Sequence, residues 1–268
     1  MPRGGGTPLV AAFVVAVGGF IFWGGQGSAV AAGSGHGEHK TAGATLMVTT
    51  DPAEVRPGRP VRLGLMLHDA SGAMLKEFEV VHEKKLHLII VRDALDRFAH
   101  IHPSIDRSGS ITATFTFPTA GRYRLFADFK PAGGAAATAM AEVTVAGDAP
   151  PGPALAPNVP GRVAGDGLGA DVAVVAGKSG GGTRVSFTIL DRAGKQVVDL
   201  QPYLGAMGHL VVLDAGGTQY VHAHPVAGSP GDAVVFEVLF PGPGIYKGWG
   251  QFQRAGRVHD IPFVVAVK

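Results

Sequence analysis

Two stretches decide how this chain is read. They are Gly208–Pro225, GHLVVLDAGGTQYVHAHP, and His87–Pro103, HLIIVRDALDRFAHIHP. Each runs His, twelve residues, His, one residue, His-Pro. A spacing kept that closely within one chain marks a duplicated unit, here a whole domain and not a short solenoid repeat. In the second copy Gly216-Gly217 offers a two-residue turn of the primed type. That turn sets His209 opposite His224, Val211 opposite His222 and Leu213 opposite Tyr220. The same counting in the first copy sets His87 opposite His102 and Ile89 opposite His100. Its turn pair would be Ala94-Leu95, which is poor turn chemistry, and a slip of one residue there would send His87 to the other face.

Side chains alternate along a strand, so the three histidines of each copy share one face. Facing residues lie about 5 Å apart and diagonal ones about 7–8 Å. Three imidazoles at that spacing can converge on one ion, whose bonds of about 2.0–2.1 Å require nitrogens roughly 3–3.5 Å from one another. The predicted metal ligands are therefore His209, His222 and His224 in the second copy and His87, His100 and His102 in the first, with the better turn favouring the second. Two residues are added as candidate fourth ligands. Asp128, aligned with Gln251, belongs to the first copy; His259, aligned with Thr138, belongs to the second. The opposite face of each hairpin is apolar (Leu86, Leu88, Ile90, Ala99 and Ile101; Leu210, Val212, Val221 and Ala223) and is expected to face a core. The histidine face also carries Ile89, Val91 and Phe98, or Val211, Leu213 and Tyr220, so the histidines are expected to be partly exposed at one end of a sandwich.

The duplication extends outward from the hairpins. Ile111–Phe117 matches Val234–Phe240, Pro118–Gly121 matches Pro241–Gly244, and Tyr123–Phe129 matches Tyr246–Phe252. The turn Asp69–Gly72 is echoed by Asp191–Gly194. Alternating runs such as Val61–His68, separated by turn residues at intervals of about 8–12, predict antiparallel sandwiches. Tyr123 and Tyr246, each two residues after a glycine at a strand start, predict corner tyrosines bonded to backbone. The expected fold is all-β: two tandem antiparallel Ig-like β-sandwich domains at 44–147 and 161–268, joined by a linker at 148–160 that holds five prolines.

The composition suits this. Of 268 residues 46% are hydrophobic and 16% charged, with 41 glycines and 19 prolines, enough for two cores and many turns. A net charge of +2 without a basic run speaks against nucleic acid as a partner. The absence of cysteine excludes disulfides, thiolate metal sites and a Cys nucleophile. No GxSxG, P-loop, HExxH or GxGxxG context occurs, so no enzyme is expected. Residues 1–32 combine a basic start, the apolar run Leu9–Trp23 and Ala29-Val30-Ala31, the pattern of a signal peptide or an uncleaved membrane anchor. Residues 33–43 (GSGHGEHKTAG) read as a flexible tether. The domains are thus expected outside the cytoplasm, periplasmic or at the cell surface.

The runs LHLIIVRDALDRFAHIHP, FPTAGRYRLFADFKPAG and PYLGAMGHLVVL with YVHAHP and FPGPGIYKGWGQFQ resemble an uncharacterised family of bacterial exported or membrane-anchored proteins with tandem Ig-like domains. The resemblance covers about Thr45–Lys268 and implies an Ig-like sandwich with a role in extracytoplasmic metal handling. Imidazole-rich sites without thiolate suit copper, zinc or nickel. The expected function is that of an exported protein binding copper or another divalent metal, for buffering or delivery, with a membrane or exported protein as further partner. The alternative is a non-catalytic interaction or scaffold module whose histidines are structural.

Overall fold

The computed structural model of the chain describes residues 43–175, 182–223, 225–226 and 233–268. The expected signal or anchor segment at 1–32, all but the last residue of the expected tether at 33–43, and His224 lie outside the described residues. The first repeat contains β1 (Thr45–Asp51), β2 (Pro60–His68), β3 (Leu86–Arg92), β4 (Phe98–Ile101), β5 (Ser104–Ile105), β6 (Ile111–Thr116), β7 (Gly121–Phe129) and β8 (Ala137–Val145). The second contains β9 (Gly161–Ala164), β10 (Gly169–Val175), β11 (Thr183–Leu190), β12 (His209–Asp214), β13 (Tyr220–Ala223), β14 (Val234–Val238), β15 (Gly244–Arg254) and β16 (Arg257–Val267). Each repeat is an antiparallel sandwich of two four-stranded sheets. Their orders are β1-β2-β6-β5 and β4-β3-β7-β8 in the first, and β9-β10-β11-β14 and β13-β12-β15-β16 in the second. No helix among the described residues is long and apolar enough to cross a membrane.

Most strands bury one face. In β2, Val61, Leu63, Leu65 and Leu67 are buried while Pro60 and Arg62 are exposed, the alternation of a sheet with one side in water. The segment Met74–Val81, which leads to the first hairpin, forms only isolated bridges such as His68 with Met74 and Phe78 with Pro131. β3 and β12 differ from the rest. Every residue of β3 is buried, as are His209–Leu213 of β12. A strand buried on both faces needs two covers. Leu86, Leu88 and Ile90 fill the first sandwich core, and Leu210 and Val212 fill the second. On the other face Ile89, Val91, Leu95 and Phe126 pack against Val211, Leu213 and Trp249. The two hairpin-bearing sheets therefore stack outer face to outer face.

The contact has approximate two-fold symmetry. Phe98 stacks on Trp249 with ring centroids 4.8 Å apart, and Tyr220 stacks on Phe126 at 4.7 Å. Phe98 and Tyr220 occupy equivalent positions, opposite Val91 and Leu213; Phe126 and Trp249 lie opposite Ile89 and Val211. One pairing is thus made twice, as across an isologous dimer interface. Each such aromatic pair contributes about 0.5–1.5 kcal/mol beyond its area burial.

Both hairpins keep the expected register: Ile89 faces His100 and Val211 faces His222. The turns are not as expected. Of Gly216 and Gly217 only the latter has positive φ (65°), so the primed two-residue turn does not form. Instead Asp214 N–H donates to the Gln219 carbonyl and Gly217 N–H to the Asp214 carbonyl. The first hairpin has the same loop, with Arg92 N–H on Arg97 and Leu95 N–H on Arg92. Leu95 occupies the left-handed position of Gly217, with φ 53°. That conformation costs a non-glycine residue about 1–2 kcal/mol. Burying a leucine returns about 1.5–3 kcal/mol, and Leu95 is 1% exposed, between the repeats. At Gly217 a Cβ would meet the Arg124 guanidinium, which donates to the Gly216 carbonyl at 2.7 Å across the interface.

Smaller devices fix the sandwiches and the linker. Tyr123 Oη–H donates to the Thr119 carbonyl at 2.9 Å and Tyr246 Oη–H to that of Gly242 at 2.8 Å, the two expected corners. Buried Arg92 is paired with Asp96 and donates to the carbonyls of Ala120 and Pro150, which ties down the start of the linker. Val264 N–H donates to Asn158 Oδ1 at 2.8 Å and ties down its end. Because the interface is a third apolar core, Trp249→Ala is expected to lower stability by about 3–5 kcal/mol and to split one denaturant-unfolding transition into two. A loss below about 1 kcal/mol with a single transition would contradict the docked arrangement.

Candidate metal centre

The histidines lie at one end of the apolar contact, on the same strands. β3 supplies His87; β4 supplies His100, opposite Ile89; His102 follows just beyond β4. Their rings converge, with centroids 5.2 Å apart for His87 and His100, 5.0 Å for His87 and His102, and 4.8 Å for His100 and His102. His87 Nδ1 lies 3.0 Å from His100 Nε2 and 3.2 Å from His102 Nε2. These are close to the separations that bonds of about 2.0–2.1 Å to one tetrahedral ion require.

The hydrogen-bond partners fix two of the tautomers. His87 Nε2 is 3.0 Å from the Val81 carbonyl, an acceptor only, so Nε2 carries the hydrogen and Nδ1 a lone pair. His100 Nδ1 is 2.6 Å from Gln251 Oε1, so Nδ1 donates and Nε2 carries a lone pair. Two lone pairs therefore face each other at 3.0 Å, with His102 Nε2 beside them. Neutral His87 and His100 so placed cannot satisfy each other; His102 Nε2–H can donate to His87 Nδ1, and a cation between the three rings satisfies all of them. Engagement of the outer ring N–H by a carbonyl is also the usual support of a metal-bound histidine.

The second repeat copies this outer pattern. His209 Nε2–H donates to the Tyr203 carbonyl at 2.9 Å, as His87 does to Val81. His222 Nδ1 lies 2.9 Å from Asp128 Oδ2, as His100 Nδ1 lies beside Gln251. Each second histidine thus reaches the opposite repeat at an equivalent position, since Asp128 pairs with His87 and Gln251 with His209. His222 stands among the others, its ring 5.5 Å from His100, 5.8 Å from His87 and 5.7 Å from His209. His82 joins them, 5.9 Å from His209 and 6.4 Å from His87. It was missed in the sequence because it lies outside the repeated spacing, and the second repeat has Leu204 at that place, in the same positive-φ conformation.

Among the described residues the convergent triad is that of the first hairpin; the second hairpin, the favoured site, is left open, because His224 lies outside them. Other expectations change. On the histidine face His209 is 0% and His87 4% exposed, because the other repeat covers them, while His100 and His102 are partly exposed, as expected. His259 does not reach the cluster. Its partner across the ladder is Phe252, one residue on from the Gln251 that faces His209, so it points to the other side of the sheet. There its Nδ1 donates to the Asp166 carbonyl at 2.5 Å. Its counterpart in the first repeat is Ala137, and Thr138 corresponds to Asp260. Asp128 accepts from Thr138, Tyr220 and His222 at 2.6, 2.6 and 2.9 Å, so it orients a histidine and is not aimed at the triad.

Burial and mutual repulsion keep the cluster neutral. Burial first, then the nearby His222, pushes His100 down to about 2. Burial and then His87 push His102 down to about 4; burial puts His209 at about 4, opposed by its bond to Tyr203. His87 and His82 are lowered in the same direction, chiefly by burial. Tyr220 is raised well above its usual value by burial and then by Asp128.

No curated protein matches the chain in sequence. Among solved structures it is similar to FdeC, an adhesin of Escherichia coli, with 20% identity and a TM-score of 0.27 over 85% of this chain and 65% of that one. It is similar to a tetra-tandem repeat from the extending region of a large adhesion protein, with 17% identity and a TM-score of 0.28 over 84% and 49%. A segment of two fibronectin type III domains from chicken tenascin gives 12% identity and a TM-score of 0.24 over 83% and 97%. The chain therefore spans 65% and 49% of the first two. One family model matches it twice, over residues 40–147 and 163–268, so the chain belongs to the family described as a domain of unknown function, DUF8832, and carries two copies of it.

Proposed function

We propose that this is an exported, non-catalytic protein that binds a transition-metal ion through His87, His100 and His102, at the joint between its two repeats. The observation that carries the reading is the convergence of three ring nitrogens at 3.0 and 3.2 Å, two with their lone pairs turned inward. An all-imidazole donor set suits Cu(II), Zn(II) or Ni(II), and among these the general affinity order favours copper. Buffering or delivery outside the cytoplasm is the role that residues 1–32 would suit.

A second reading has its own observation. His100 and His222 each bond a residue of the opposite repeat, and those contacts hold the sandwiches together without any ion. On that reading the chain is an interaction or scaffold module and the histidines are structural, which its tandem β-sandwich architecture also suits.

The two readings part on titration of the full chain with Cu(II) and Zn(II). The metal site predicts one tight ion, a higher melting temperature on loading, and an affinity loss of roughly 100-fold or more in His102→Ala, following the usual cost of disturbing a ligand set. Equal binding by the wild type and His102→Ala, or no thermal shift, would leave the structural reading.

A pH dependence follows from the lowered histidines. A histidine whose folded value lies below the unfolded value of about 6.5 contributes full stability above that pH and loses it as the pH falls toward the folded value. Between pH 7.5 and 5 the metal-free protein is therefore expected to lose on the order of 2 kcal/mol for each of His100 and His209, and less for the more exposed His102, whose charge water screens. Thermal denaturation across that range checks this, and an unchanged melting temperature would mean that these rings titrate normally.

A further inference from the structure

The triad of the first repeat is hydrogen-bonded to a residue of the second. Gln251 lies on β15, opposite His209, and is 4% exposed. Its Oε1 nevertheless sits 2.6 Å from His100 Nδ1, across the interface. The amide cannot turn round. Its Nε2 donates to Asp260 Oδ1 at 2.8 Å, on the neighbouring strand β16. A flip would set the amide oxygen against a carboxylate and would turn the amide N–H toward His100. Held by Asp260, Gln251 presents only an acceptor, so His100 must carry its hydrogen on Nδ1. Its lone pair then lies on Nε2, the atom 3.0 Å from His87 Nδ1. Without that acceptor the ring would be free to adopt the other tautomer, which puts a hydrogen where the ion belongs.

The approximate two-fold symmetry contains the same relation in reverse. Asp128 of the first repeat accepts from His222 of the second and is backed by Thr138 on its own neighbouring strand. Placing an acceptor opposite the partner repeat's second histidine is thus built into both halves, as an amide in one and a carboxylate in the other.

We propose that Gln251 is a positioning residue for the three-histidine site of the first repeat, so that this site is complete only while the two repeats are docked. The inference rests on the metal-binding reading above. It makes metal affinity and repeat docking two sides of one equilibrium: whatever free energy docking lends to the ion, the ion lends to docking.

The test compares full-length wild type, Gln251→Leu, His102→Ala, and the double variant Gln251→Glu with Asp260→Asn. The double variant keeps an oxygen acceptor toward His100 and a donor behind it. Zn(II) and Cu(II) affinities are measured by calorimetry, and the nitrogens bound to Cu(II) are counted by electron paramagnetic resonance. Gln251→Leu is expected to weaken binding about 10–100-fold and to lose one coupled nitrogen, and the double variant to restore both. A merely structural glutamine would change the melting temperature without changing the nitrogen count. If Gln251→Leu binds as tightly as the wild type with the same count, or if the double variant fails to restore binding, the positioning role is overturned and the site stands. If the wild type binds no ion, or no more tightly than His102→Ala, the site is overturned and the positioning role with it.

Discussion

The contact between the outer faces of two sheets governs the rest of this molecule. β3 and β12 bury both faces, one in their own sandwich and one against the other repeat. A sheet with that pattern cannot stand alone in water, so the duplication gives each repeat a surface complementary to its copy. The two aromatic stacks, Phe98 on Trp249 and Tyr220 on Phe126, show how closely the copies still match. The strained Leu95 fits the same account, because its burial between the repeats offsets its backbone conformation.

The histidines occupy the polar end of that contact and take their character from it. Burial removes water from their rings and holds them neutral. Outer N–H groups are engaged by Val81, Tyr203, Gln251 and Asp128. The inner lone pairs of His87 and His100 are left facing one another. Two buried acceptors facing each other are costly unless a donor or a positive charge lies among them; His102 Nε2–H can serve one of them, and an ion would serve both. The two halves are not equivalent: the amide of Gln251 supports one and the carboxylate of Asp128 the other.

Much of this was legible in the sequence, and the limits have physical causes. Counting outward from the assumed turn centres put His100 opposite Ile89 and His222 opposite Val211, and the longer loops that form keep the same centres. The doubtful pair Ala94-Leu95 caused no slip, because the apolar alternation fixed the register and the left-handed Leu95 accommodated it. The glycine pair misled in the other direction, since Asp214 side-chain bonds to Thr218 and Gln219 N–H stabilise a longer loop. Ile89, Val91, Val211 and Leu213 were visible as apolar residues on the histidine face, but local sequence does not say what covers them. For that reason the cross-repeat bonds of His100 and His222, and the place of His82, emerged only from the fold. His259 was misplaced by one residue of register, which in a strand means the opposite face.

The central claim is that the inward nitrogens of His87, His100 and His102 hold one ion. Anomalous diffraction from crystals grown with Cu(II) or Zn(II) tests it most directly. The account predicts a single peak at the interface, about 2.0–2.1 Å from His87 Nδ1, His100 Nε2 and His102 Nε2, with His100 still bonded to Gln251. No peak at the interface, with the three rings bonded to one another and to water, would contradict it.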